Sequence, residues 1–179
     1  MKYSTPAPPG REEQAEPITG TPTPGTGSIL PVLPEGIPQS LRALPRWLLW
    51  RAEQVDGRTT KVPYQPTCPS RKASSTDPST WGTFSAALAG YEDGKSDGIG
   101  FALGDGFVGL DLDHSVVAGQ LSPEARAAVD AIGSYTELSP SGEGLHCIAL
   151  GELPPGRRRC GHVEIYDRGR YFTVTGHRL

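Results

Sequence analysis

The stretch VGLDLDHS, residues 108–115, decides how this chain is read. It is apolar up to Leu110 and then places Asp111 and Asp113 on either side of Leu112. In a β-strand, residues i and i+2 face the same way. Two carboxylates on one face repel each other unless a positive group lies between them. That group is a metal ion or a basic side chain.

Working outward, the flanking segments alternate strand patterns with turn residues. DGIGFALGDGFVGLDLD reads as two short strands joined at Gly104-Asp105-Gly106. SPEARAAVDAIG carries full helix punctuation, with Ser122 as N-cap, Pro123 in the first position and Gly133 as the stop. SYTELSPSGEGLHCIAL reads as strand, Gly-rich break and strand, and GHVEIYDRGRYFTVTG as strand, turn at 167–169 and strand. Upstream, RWLLWRAE and TTKVPYQP flank an Asp56-Gly57 hairpin turn. CPSRKASSTDPST reads as loop. A helix is expected from about Ser79–Trp81, with Phe84, Leu88 and Tyr91 on one face. The resulting class is α+β: a mixed or antiparallel sheet with hairpins, and helices packed on one face.

The first 38 residues hold nine of the 18 prolines and almost no large apolar side chain before Ile29. Residues 1–36 therefore read as a disordered Pro/Gly/Thr-rich arm, and 37–179 as one domain. No apolar core follows Lys2 and no run approaches a membrane span, so a cytoplasmic, non-membrane protein is expected. Three cysteines (Cys68, Cys147 and Cys160) suit reduced thiols better than a disulfide framework. The net charge of −3 excludes a general nucleic-acid coat. A polyanion would have to be held by local patches, such as Arg71/Lys72 or Arg157–Arg159 with Arg168 and Arg170, or through metal ions.

Glu164, between Val163 and Ile165, has the pattern of a carboxylate facing away from core neighbours. It would complete a triad with Asp111 and Asp113. Three such carboxylates suit one or two Mg²⁺ or Mn²⁺ ions, which prefer oxygen ligands, and a pair of such ions supports phosphoryl transfer. Solvent-facing acids on amphipathic strands are the plain alternative; for Glu164 alone that alternative is the better one. In SPSGEGLH (139–146), Ser141, Gly142 and the other loop residues would turn N–H groups toward a phosphate. His146 would then donate a proton or hydrogen bond to a triphosphate. An ordinary hairpin turn with a half-buried histidine explains this loop equally well when it is taken alone. Other chemistries fit less well. DLDHS lacks the Thr or Val of an aspartyl phosphatase motif, the His and Cys spacings match no common zinc site, and no Gly-x-Ser-x-Gly elbow is present.

Taken together, GIGFAL…VGLDLDH, SYTELSPSGEGLHCIALG and VEIYDRGRYFTVTGHRL resemble the N-terminal primase–polymerase (prim-pol) domain of phage and plasmid replication proteins, in the archaeo-eukaryotic primase superfamily. IPQSLRALPRWLLWRAE…KVPY and KASSTDPSTWGTFSAAL resemble its leader region, so the likeness spans about residues 37–179. It implies a catalytic core like an RNA-recognition motif (RRM). It also implies template-directed nucleotidyl transfer with Mg²⁺ or Mn²⁺ on a DNA template or primer, using dNTP or NTP. By this resemblance Asp111, Asp113 and Glu164 are the catalytic metal ligands, and Ser141, Gly142 and His146 grip the nucleotide. Arg170 is placed at the phosphates by position, with Arg168; Lys61, Arg71 and Lys72 are placed along the template. Family members usually continue past the point where this chain stops, often into a helicase, so a domain short of C-terminal elements and a helicase partner are expected. The rival reading is a non-catalytic or split nucleotide- or ssDNA-binding module that needs a partner chain. A metal-dependent nuclease is the third.

Overall fold

The computed structural model describes residues 29–179. Short 3₁₀ turns (Pro34–Gly36 and Pro78–Thr80) accompany three helices: α1 (Gln39–Arg42), α2 (Phe84–Glu92) and α3 (Pro123–Ile132). The strands are β1 (Trp47–Val55), β2 (Arg58–Gln65), β3 (Cys68–Lys72), β4 (Gly98–Ala102), β5 (Phe107–Leu112), β6 (Val116–Val117), β7 (Gln120–Leu121), β8 (Tyr135–Leu138), β9 (Leu145–Leu150), β10 (Arg159–Cys160), β11 (Val163–Tyr166) and β12 (Tyr171–Val174).

The class is α+β, and every strand pair is antiparallel. The single sheet expected from sequence is in fact two five-stranded sheets, ordered β12-β4-β1-β2-β3 and β10-β11-β5-β9-β8, with β6–β7 a separate hairpin. The reason lies at two turns. β4 and β5 belong to different sheets, and so do β11 and β12, although β5 pairs with β11 and β4 with β12. One antiparallel ribbon therefore bends from the first sheet into the second. Its 98–112 side is two residues longer through the bend than its partner, the kind of insertion that turns a ribbon. Arg46 pairs with Asp105 in this corner and covers the rings of Trp81 and Phe107.

Local chemistry explains much of the rest. Asp56 and Gly57 both have positive φ, 51° and 76°, as a two-residue hairpin of the favoured hand requires. Ser122 accepts from Ala125 N–H and Gly133 ends α3 in the left-handed region, φ 56°. α2 starts later than the sequence suggested. Pro78–Thr80 forms its own 3₁₀ turn, and Thr83 caps the helix by accepting from Ala86 N–H. The segment read as loop at 68–72 is β3, a bulged, exposed edge strand whose Pro, Ser, Arg and Lys are edge-strand chemistry.

Residues 29–36, assigned to the arm from their prolines, pack into the domain. Leu30 and Val32 are buried, Leu30 N–H donates to Pro140 O, and Leu33 N–H donates to Thr175 O. The remainder of the expected arm, residues 1–28, lies outside the described residues.

The main core joins both sheets. Trp47, Leu49, Ile99 and Phe101 of the first pack with Tyr135 and Ile148 of the second, and Trp47 meets Phe84 and Phe101 edge-on at 4.9 and 5.4 Å. Each such fully buried side chain contributes about 2 kcal/mol. α3 covers the other face of the second sheet through Ala125, Ala128 and Val129 against Leu110, Leu112, Leu138 and Leu145. The even-numbered residues of β5 are thereby committed to α3, and Asp111 falls on the face turned toward the first sheet.

Candidate active site

Strand register assembles the site. Asp111 stands directly opposite Glu164 on β11 and directly opposite His146 on β9. The row continues at both ends, to Arg159 opposite Glu164 and to Glu137 opposite His146. Arg159, Glu164, Asp111, His146 and Glu137 thus cross the whole second sheet on one face. Along this row lies a groove of about 230 Å³, lined by Asp111, His146, Glu164, Tyr166, Arg170, Tyr171, Phe172 and Thr173, with Lys61 entering from β2 of the first sheet.

His146 is almost wholly buried, and one ring nitrogen contacts a carbonyl: Nδ1 to Thr173 O, 2.8 Å. A carbonyl only accepts, so Nδ1 carries the proton and Nε2 presents a bare lone pair. Burial, then the nearby Lys61 charge, push the His146 pKa down to about 4. Nε2 lies 3.8 Å from Asp111 Oδ1, too far for a hydrogen bond. Asp111 Oδ1 is itself buried with no hydrogen-bond partner. Two acceptors therefore face each other with no donor between them. Burial first, then the Asp113 charge, raise the Asp111 pKa to about 6, with Glu164 adding to the rise and Lys61 and Arg159 opposing it.

Two glycines make this arrangement fit. A Cβ on Gly109 would meet the Phe172 ring at 2.7 Å, so the bare backbone lets Phe172 lie against β5 and support His146, ring centroids 5.2 Å apart. A Cβ on Gly144 would meet Leu112 O at 2.9 Å, so the 139–144 loop can close over the end of β5.

The expected site residues divide into three groups. Asp111, His146, Glu164 and Arg170 share the groove, Arg170 stacking over the Tyr166 ring at 4.9 Å. Asp113 lies one residue past the end of β5, exposed, its N–H donating to His162 O. Ser141 and Gly142 lie in the loop and not among the residues lining the groove. Ser139 and Ser141 hydroxyls contact each other at 3.1 Å and accept from Gly144 and Glu143 N–H, and Gly142 N–H donates to Ser139 O, so these three loop donors are engaged within the loop. Arg168 turns to Asp167, 3.0 Å, and Arg71 and Lys72 lie on exposed β3.

Lys61 was expected on a template path, yet it lines the groove. Although the residue as a whole is open to solvent, burial lowers its amine pKa, opposed by Asp111 and Asp113, and the amine sits 5.5 Å over the Trp50 ring. Only the pairing of two sheets reveals this. Glu137 carried no functional signal in sequence. It is fully buried, and accepts from Tyr135 O–H, Thr175 N–H and Gly176 N–H.

Among the described residues, no three His, Cys, Asp or Glu side chains come together closely enough to hold a metal ion. Asp111 and Glu164 are neighbours in the row and Asp113 lies past the end of β5, so the three form no closed cluster. The donors nevertheless suit a hard divalent cation: two facing carboxylates, one with an orphaned buried oxygen. Among the described residues no helix is long and apolar enough to cross a membrane.

No protein-family model matches the chain. It is similar to the DNA Primase-polymerase of Nitratiruptor phage NrS-1, 40% identical over 150 residues, covering 76% of this chain. Over most of its length the chain is similar to a primase-polymerase. It spans 20% of the length of that phage relative.

Proposed function

We propose that this chain is a prim-pol domain, a nucleotidyltransferase that makes or extends a nucleic-acid strand on a DNA template from dNTP or NTP, within phage- or plasmid-type replication. The observation that carries the proposal is the pairing of Asp111 with Glu164 and His146 in one groove, with Oδ1 of Asp111 buried and unpartnered. The printed name of the phage relative supports the same reading. On this reading β5, α3, β8 and β9 are the RRM-like catalytic unit.

Asp111 and Glu164, with Asp113 at the rim, would hold Mg²⁺ or Mn²⁺. Two such ions supply charge stabilisation for the attacking and leaving oxygens of phosphoryl transfer. The chain's own groups do the rest. His146, fixed by Thr173 O, keeps one tautomer, so its bare Nε2 would accept a proton or hydrogen bond in the groove and not donate one to a triphosphate as expected from sequence. Lys61 and Arg170 both line the groove and suit a triphosphate by charge. Ser141 and Gly142 would reach a nucleotide only if their loop opens its internal hydrogen bonds.

A primer-extension assay with Mn²⁺ and all four dNTPs tests this. Wild type should extend the primer and D111N should not. Undiminished extension by D111N removes Asp111 from the chemistry. The rival reading, a split binding module, draws support from the engaged oxygens of Glu164 and the lack of a closed metal cluster among the described residues. It predicts metal-dependent nucleotide binding without extension until a partner chain, such as a helicase, is added.

A further inference from the structure

Glu164 differs from Asp111 in having both oxygens engaged. Arg159 Nη1 lies 3.1 Å from Oε1, and the Tyr166 hydroxyl donates to Oε2 at 2.8 Å. Arg159 stands opposite Glu164 in the β10–β11 ladder, and its charge also acts on Asp111. With Lys61, whose charge acts more strongly on Asp111, it supplies the positive charge that paired carboxylates demand. The contact is lightly held. β10 is two residues long at the sheet edge, and 65% of the Arg159 side chain is open to solvent. Such an exposed ion pair separates easily in water. The buried Glu137 at the other end of the row has no such freedom.

We infer that Arg159 is the resident counter-cation of the carboxylate row, occupying Glu164 Oε1 until a divalent cation displaces it, so that it sets how readily the site is loaded. This rests on reading the row as a metal site. Arg159 and the metal compete for one oxygen. Removing the guanidinium frees that oxygen and deletes a repelling charge, and both changes favour the metal. A merely structural arginine at a sheet edge would have the opposite effect or none.

The test is Mn²⁺ binding to the full chain without nucleotide, followed by the electron paramagnetic resonance signal of free Mn²⁺. Wild type, R159Q, R159M, R159K and D111N are compared, and melting temperatures confirm folding. R159Q and R159M should bind about threefold more tightly, the factor expected for an exposed ion pair, and R159K should match wild type. D111N should lose the site. If R159Q and R159M bind no more tightly than wild type while D111N still abolishes binding, the competition is refuted and the metal site stands. If D111N binds Mn²⁺ as wild type does, the row is not a metal site and this inference goes with it.

Discussion

Two carboxylates on one face of one sheet, two strands apart, have opposite surroundings. Glu137 is fully buried, and its oxygens take hydrogen bonds from a tyrosine hydroxyl and two backbone N–H groups. Asp111 keeps 27% of its side chain exposed, faces a histidine lone pair and has a buried oxygen with no partner. Saturation is what a structural carboxylate needs, because an unpaired buried acceptor costs about 1–3 kcal/mol. The same deficit persists at Asp111 beside two other acids. On the proposed function, a carboxylate strained in this way is one held ready for a cation. Glu137 fastens residues 175–176 to β8, and the same segment supplies the Thr173 carbonyl that orients His146. The saturated end of the row thus holds the unsaturated part in place.

Replacing Asp111 by Asn should show the contrast most strongly. Primer extension should fall by about a thousandfold or more, since the electrostatic stabilisation held there is lost. At the opposite end, G176A should cost about 3 kcal/mol in urea denaturation, by steric clash and strained φ. Its Cβ would come within 2.0 Å of Leu33 O, at a φ of 77°. E137Q should cost about 2 kcal/mol, because an amide brings donors to a pocket of donors, and it should leave the pH profile of any remaining activity unshifted. A shifted profile would move Glu137 from clamp to catalyst.

The stability of D111N should run the other way. A carboxyl pKa raised to about 6 means the folded state favours the protonated form. Its stabilising contribution is full below the unfolded pKa near 4 and is lost as pH rises through 6. With EDTA present, D111N should equal wild type near pH 4 and exceed it by about 1–2 kcal/mol at pH 7. His146 has the opposite sign, contributing above its ordinary pKa of 6.5 and losing that as pH falls toward 4. Equal stability at pH 7 would mean that Asp111 is not strained. The smallest effect is expected for R170A. The nucleotide KM should rise about tenfold with kcat little changed, as loss of one phosphate contact predicts.

What was legible in sequence was what depends on neighbours in the chain. The Asp56-Gly57 turn and the Ser122, Pro123 and Gly133 signals name their own backbone angles. Strand parity was enough to put Asp111 and Glu164 on polar faces. Asp113 lies one residue past the end of β5, yet its charge still acts on Asp111 and Lys61. The two sheets were not legible, since the turns at 104–106 and 167–169 read like hairpins whichever sheet receives the next strand. Lys61 depends on that pairing and was placed elsewhere for the same reason. β3 looked like loop because an edge strand has little need of apolar residues. Residues 29–36 looked like arm because Pro and Gly also suit a close-packed strap: a Cβ on Gly36 would lie 1.8 Å from Gly176 O.

The most direct test is a crystal of this chain soaked with Mn²⁺ and a non-hydrolysable dNTP, with anomalous scattering collected at the manganese edge. The account predicts a peak about 2.2 Å from Asp111 Oδ1, with Glu164 Oε1 released from Arg159 to join it and the triphosphate lying between Lys61 and Arg170. A peak remote from Asp111, or a nucleotide bound outside the groove with the Arg159–Glu164 pair intact, would contradict it.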